Sequence, residues 1–230
     1  MYAQLPYHNR QAAGYILAKC LDQYRGRPDV VIFGLFRGGI PVACEIALAL
    51  NVPLAICVVR KLCTPEHPGL AVGAVASGGV FVLNSAISSM LTPQTALLRK
   101  SAERELKRCE RRYQILSSAS SMPPLKGKTA ILADDGLATG TTMHAAVQAI
   151  RHRYEASYCV VAAPVGSPEA CASLQNKADE VICPATPHPF YSVSQFYKDF
   201  TQITDEETRS LLAWAAQVGS CVNTSRHEES

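Results

Sequence analysis

A doubly wound α/β fold with a mainly parallel sheet is what this sequence predicts, and three observations carry the expectation. Short, unbroken apolar runs at residues 30–35, 54–59, 129–133 and 158–163 are rich in β-branched side chains, as in strands covered on both faces. Segments with helical apolar spacing stand between them. Strand, helix and strand follow one another within residues 30–59, which makes a βαβ unit. Size agrees with this: 230 residues, 48% apolar and 18% charged, make one domain with a substantial core and exclude a disordered chain, a collagen or a coiled-coil rod.

Ala13, Ile16, Leu17, Cys20, Leu21 and Tyr24 form the first amphipathic helix, which Gly26 and Pro28 end. A strand at 30–35, a helix at 41–50 and a strand at 54–59 come next. The apolar stretch 39–59 is long enough to suggest a membrane span. Pro41, Glu45 and the Asn51-Val52-Pro53 break divide it instead into a buried helix, a turn and a buried strand. Residues 60–83 predict a mobile loop, rich in Gly and Pro up to Gly79, that ends in a hairpin with its second strand at 80–83. Thr92-Pro93 opens an inserted basic helix over 92–118. Its seam of Leu98, Ala102, Leu106, Cys109, Tyr113 and Leu116 predicts packing by one face only. After a Ser/Pro linker at 117–128, strands at 129–133, 158–163 and 180–183 alternate with helices at 141–154 and 168–177. A Pro- and aromatic-rich segment, 184–200, leads to a last helix at 205–218, and the tail 221–230 is expected to be disordered.

Net charge is +3, too small to mark a dedicated nucleic-acid or membrane binder. The excess lies in the basic helix, where Arg99, Lys100, Arg104, Lys107, Arg108, Arg111 and Arg112 face only Glu103, Glu105 and Glu110. Nine cysteines are scattered without a CxxC pair and mostly in apolar stretches, which fits a reducing compartment. Residues 1–10 lack the apolar stretch of a signal peptide, so a cytoplasmic protein is expected.

In a fold of this class ligands sit beyond the carboxyl ends of the strands. Three segments meet that description: Phe36-Arg37-Gly38-Gly39, Arg60-Lys61, and Asp134-Asp135-Gly136-Leu137-Ala138-Thr139-Gly140-Thr141-Thr142. Together they offer cations, free backbone N–H groups and a carboxylate pair, a set suited to a phosphorylated sugar. Residues 138–142 join strand to helix through small and hydroxyl side chains, so the backbone can approach an oxyanion at a helix N-terminus. Asp134 and Asp135 are adjacent like charges and need partners: vicinal ribose hydroxyls, Mg²⁺ or its waters, or a nearby Arg. A P-loop is excluded because Thr141, not Lys, follows Gly140. A phospho-acceptor receiver domain is excluded because its acid pair lies near the domain start, with a later acceptor Asp that has no counterpart here.

Residues 131–142, Ile-Leu-Ala-Asp-Asp-Gly-Leu-Ala-Thr-Gly-Thr-Thr, resemble the signature of type I phosphoribosyltransferases, which bind 5-phosphoribosyl-1-pyrophosphate (PRPP). Gly34-Leu-Phe-Arg-Gly-Gly-Ile-Pro41 resembles the pyrophosphate loop of the same family. Residues 9–207, including Val59-Arg60-Lys61-Leu62 and His67-Pro68-Gly69-Leu70-Ala71-Val72-Gly73, are similar to a bacterial group known as predicted phosphoribosyltransferases of unassigned acceptor. The resemblance implies a single phosphoribosyltransferase-like domain over 1–220, with a small hood formed by 184–200. It implies that Asp134 and Asp135 bind the ribose diol directly or through Mg²⁺. Ala138, Thr139, Gly140, Thr141 and Thr142 would cradle the 5-phosphate, Arg37 and Gly38 would hold pyrophosphate near a cis peptide, and Gly39, Gly136 and Leu137 would belong with them to the substrate-binding set. Arg60 and Lys61 match basic residues that precede a catalytic loop, here 63–79, as a lid. Within it Glu66 and His67 are either acid–base groups or solvated loop residues. Phe190, Tyr191, Phe196 and Tyr197 either stack on a base or simply pack.

The implied activity is Mg-dependent transfer of the phosphoribosyl group from PRPP to a nitrogen acceptor, a nucleobase by preference, with release of pyrophosphate. The catalytic set would be Arg37, Arg60, Lys61, Asp134 and Asp135. The alternative is a non-catalytic PRPP or nucleotide sensor whose basic helix contacts RNA. The simpler account of that helix is a solvated face with Glu/Arg pairs. Expected partners are PRPP and a small acceptor, with no membrane or nucleic acid, in a homodimer.

Overall fold

A computed structural model describes residues 5–64, 67–83, 95–117 and 125–225. Seven strands form one sheet: β1 (Val30–Phe36), β2 (Leu54–Thr64), β3 (His67–Ala76), β4 (Val80–Leu83), β5 (Thr129–Ala133), β6 (Tyr158–Ala162) and β7 (Glu180–Ile182). Their order is β4-β3-β2-β1-β5-β6-β7. The strands from β2 to β7 across β1, β5 and β6 are parallel neighbours, whereas β3 and β4 run antiparallel at one edge. The chain moves from β1 toward β2 and later from β5 toward β7, so the direction of winding reverses between β1 and β5. That is the topological switch point, where a crevice opens at the strand ends.

Strand alternation sends each strand's side chains to two cores. Val30, Ile32, Ile131, Ala133, Val160 and Ala162 face α1 (Arg10–Cys20) and α2 (Gly39–Leu50). Val31, Phe33, Ala130, Leu132 and Val161 face α4 (Thr141–Tyr154) and α5 (Pro168–Gln175). The stretch 39–59 that had the length of a span is the helix, turn and strand expected. Among the described residues no helix is long and apolar enough to cross a membrane.

The basic helix α3 (Thr95–Ser117) packs by one face, burying Ala102, Cys109 and Leu116 against Ile56, Val58, Leu62, Val72 and Val75. Its expected opening at Thr92-Pro93, and residues 118–124 of the linker, lie outside the described residues. Five of the described cysteines, Cys44, Cys57, Cys109, Cys159 and Cys171, are buried as free thiols, and burial pushes the Cys57 thiol up to about 12.

Two expectations change. The span read as a loop up to Gly79 is mostly strand: β2 continues to Thr64 and pairs with β3, which pairs in turn with β4. Glycines at 69 and 73 suggested a loop, but the ladder to β2 gives this backbone its hydrogen-bond partners, and pairing overrides propensity. The hairpin with its second strand at 80–83 is present. The last helix, α6 (Asp205–Ser225), runs beyond 218 into the segment read as a tail, leaving 226–230 outside the described residues. Glu66 is also outside them, and His67 is placed only as the first residue of β3.

The hood is larger than the segment 184–200. Residues before α1 join it, with Tyr7 N–H donating to the Phe196 carbonyl at 2.8 Å and Lys198 N–H to the Tyr7 carbonyl at 2.8 Å. Tyr7, Val165 and Tyr197 form its buried centre, packed by Phe190, Val193, Phe196 and Phe200.

Candidate active site

The cavity at the switch point has a volume of about 370 Å³ and draws its walls from five places in the chain. The end of β1 contributes Arg37 and Gly38; β2 contributes Lys61; the end of β5 contributes Asp134 and Asp135, followed by Gly136, Leu137, Ala138, Thr139, Gly140 and Thr142. The hood adds Val193, Phe200, Gln202 and Ile203, and the start of α1 adds Arg10. Three segments that the sequence placed at strand ends are thus brought around one space.

The loop from β5 to α4 runs along the cavity to a helix N-terminus, a place where backbone donors can meet an anion. Gly140 caps α4 at φ 72°, a left-handed conformation that suits glycine. Gly140 makes no side-chain cap bond, and among the described residues no side chain is seen to take the first N–H groups of α4, so donors remain at the positive end of the helix dipole. The loop is pinned from behind, because Leu137 N–H donates to the Val165 carbonyl at 2.9 Å and Ser167 Oγ donates to the Ala138 carbonyl at 2.9 Å. Thr139 Oγ1 lies 3.2 Å from Thr141 Oγ1. Thr141 and Gly39 are buried and do not line the cavity.

Asp134 and Asp135 share one edge of the cavity. Asp134 Oδ1 accepts the Asp135 N–H at 2.9 Å, and Asp135 Oδ2 accepts from Arg10 Nε at 2.8 Å. Burial holds the Asp134 carboxyl well above the usual carboxylate range, and the neighbouring charge of Asp135 adds to the rise. Asp135 is also raised by burial, with the Arg10 guanidinium pulling the other way. A carboxyl whose proton is held more tightly folded than unfolded adds stability at low pH, and that contribution is lost as pH rises. Asp134→Asn is therefore expected to raise the unfolding temperature of the unliganded chain near neutral pH, with the gain shrinking as pH falls toward the ordinary carboxylate range. Melting curves of both chains across that range test this; a gain that grows on acidification would contradict it.

Arg37 sits at the mouth with Asp205 of α6, Nε to Oδ1 at 3.4 Å, and Asp205 is also ion-paired with Arg112 of α3. Both guanidinium groups lie 5.4 Å from the Phe36 ring centroid. The Phe36–Arg37 peptide is cis, where the resemblance to phosphoribosyltransferases places one.

Arg60 is the exception among the expected catalytic residues. Successive side chains on a strand point to opposite faces, so Arg60 and Lys61 cannot enter the same cavity. Lys61 lines it, while Arg60 turns to α3 and pairs with Glu105 at 2.7 Å. The aromatic residues of the hood also sort differently from a stacking platform. Phe190 packs on Phe196 at 5.0 Å, Tyr197 is buried between Tyr7 and Phe200, and Tyr191 is 83% exposed. Sequence reasoning missed Arg10 and Phe200; the guanidinium of Arg10 lies 3.8 Å from the Phe200 ring centroid.

Fold and site together define an open α/β protein in which a glycine- and threonine-rich loop and an acid pair line one cavity at a topological switch point. The chain belongs to the phosphoribosyl transferase domain family, whose match covers residues 69–183. A curated Mycobacterium tuberculosis protein named "Putative phosphoribosyl transferase" is 40% identical over 206 residues, which is 90% of this chain and 46% of that protein. The chain thus spans about half the length of the curated relatives it matches. A solved Thermus thermophilus structure is 34% identical with a TM-score of 0.76, covering 91% of this chain and 99% of that one. An Aquifex aeolicus structure shares the fold at 13% identity, with a TM-score of 0.51 and coverage of 89% and 85%.

Proposed function

We propose that the chain transfers a 5-phosphoribosyl group from PRPP to a nitrogen nucleophile, a nucleobase in the first instance, releasing pyrophosphate. The observation that carries this reading is the placement of Asp134 and Asp135, the loop of Ala138, Thr139, Gly140 and Thr142, and the Arg37-Gly38 turn around a single cavity. The 5-phosphate would take the loop's amides and hydroxyls. The ribose diol would donate to the acid pair, whose buried charge calls for such partners. Arg37 and Lys61 would face the pyrophosphate, and their charge matters most as negative charge grows on the departing group and the ribose takes on oxocarbenium character. Val193, Phe200 and Ile203 of the hood would help keep out water, which competes for the same carbon.

Magnesium fits this site as a shared ion. Among the described residues no cluster of three or more metal-binding side chains exists. Asp134 and Asp135 would supply one or two oxygen ligands, leaving the others to substrate and water. When bound, the ion would add positive charge beside the diol and the leaving group.

The test is pyrophosphate release from PRPP, with and without magnesium, across a panel of purines, pyrimidines and simpler amines. Magnesium-dependent release with at least one acceptor is expected, together with weakened PRPP binding in Asp135→Asn. Undiminished PRPP affinity in that variant would count against the assigned site. Tight PRPP binding without turnover would point to a sensor.

A further inference from the structure

We propose that Arg10 is a positioning residue for the ribose subsite, one that fixes the rim of Asp135 and ties it to the hood. The inference rests on the ribose-phosphate reading above and adds a residue that no strand-end motif contains. Arg10 opens α1, and its side chain is only 9% exposed. Burying a guanidinium is costly unless its donors and its charge are matched, and here two donors, the charge and one ring face have partners. Nε donates to Asp135 Oδ2 at 2.8 Å, Nη1 donates to the Thr201 carbonyl at 2.8 Å, and the plane covers the Phe200 ring at 3.8 Å.

These contacts join two parts of the site. Asp135 belongs to the sheet end, whereas Thr201 and Phe200 belong to the segment that leaves the hood. The main chain of Asp135 is held from the same side, because Tyr197 Oη donates to its carbonyl at 2.6 Å. With Oδ2 occupied by Arg10, the carboxylate can turn only by breaking that bond, and Oδ1 is left to meet a sugar hydroxyl. The start of α1 is itself fixed: Asn9 Oδ1 caps the helix by accepting the Ala12 N–H at 2.9 Å, and Tyr7 pairs with the hood. The planar fork of Arg serves two acceptors in set directions at once, which a Lys ammonium on a flexible stem does not.

If Arg10 orients Asp135 for the diol, its loss should erase recognition of the hydroxyls more than it weakens binding as a whole. Calorimetric titration with ribose 5-phosphate and with its 2-deoxy and 3-deoxy analogues reads this directly. A site built around a hydroxyl rejects the analogue that lacks it, so the native chain should prefer the ribose form by about ten-fold or more over at least one analogue. Arg10→Lys and Arg10→Gln are expected to cut that preference to about three-fold or less while affinity for inorganic phosphate stays within about two-fold. Phe200→Leu keeps the ion pair but removes the ring beneath it, and should lower the preference by about two-fold.

A purely structural role would weaken all the sugar phosphates in proportion and leave the preference intact. The native preference retained in those of the three variants that fold overturns the proposal. A native chain that shows no preference for ribose 5-phosphate over either analogue or over inorganic phosphate overturns the ribose reading itself. A preference lost in Asp135→Asn but kept in the Arg10 variants overturns the role of Arg10 alone.

Discussion

On the proposed reading as a phosphoribosyl transfer enzyme, Gly38→Ala is expected to leave a folded chain whose turnover of PRPP falls by on the order of 10²-fold or more, because a reacting group displaced by about 1 Å can cost that much. The backbone does not resist the change, since Gly38 sits at φ −60° and ψ −31°, an ordinary right-handed conformation. The conflict lies in the space above it. A methyl group there would stand 2.7 Å from Asp135 Cγ and closer still to Oδ2. The carboxylate must swing away, and the Arg10 bond at 2.8 Å goes with it. A side chain can swing aside where a backbone cannot, so the chain should still fold, at an unfolding temperature lowered by the loss of the largely buried Arg10 pair, while the diol site does not survive. Steady-state rates beside a thermal melt check both halves; turnover within about three-fold of the native chain would show that the carboxylate does not act where it sits.

The parts of this site that could be read in the sequence are those contiguous in it. Asp134 to Thr142 is one strand-to-helix connection, so its chemistry and its spacing are visible together, and the apolar runs of β1, β2, β5 and β6 placed it at a sheet edge. Arg10 is separated from Asp135 by 125 residues, and only the folding of the hood brings them into contact. No periodicity in the first helix marks Arg10 out, because a buried ion pair is a tertiary fact. The partial signal available was Asn9, whose cap fixes where α1 begins. Arg60 was within reach of elementary reasoning: once β2 is extended past Val59, alternation separates it from Lys61. The loop expected up to Gly79 fails for a different reason. Its glycines lower β propensity, yet pairing on both sides of β3 with β2 and β4 decides the outcome, and pairing is not local.

Gly39→Ala should do the opposite of its neighbour's replacement and damage the fold before the chemistry. Gly39 begins α2 and lies where that helix crosses the end of β5. An added methyl group would stand 3.0 Å from the Asp134 Cα and nearer still to the Ala133 carbonyl oxygen. Both are backbone atoms at the end of β5, where Ala133 is paired on either side and Asp134 N–H bonds the Ala162 carbonyl, so neither can move aside without disturbing the sheet. Overpacking of this kind costs about 3 kcal/mol. For a chain of 230 residues that corresponds to a fall of roughly 6–12 °C in unfolding temperature. The strain falls where α2 must approach β5 to bring Arg37 and Gly38 across from the acid pair. Relief by withdrawing the helix would widen the crevice, so the surviving folded fraction should bind ribose 5-phosphate more weakly as well. A melt within about 2 °C of the native chain would mean that the two elements are less tightly joined than their backbones indicate.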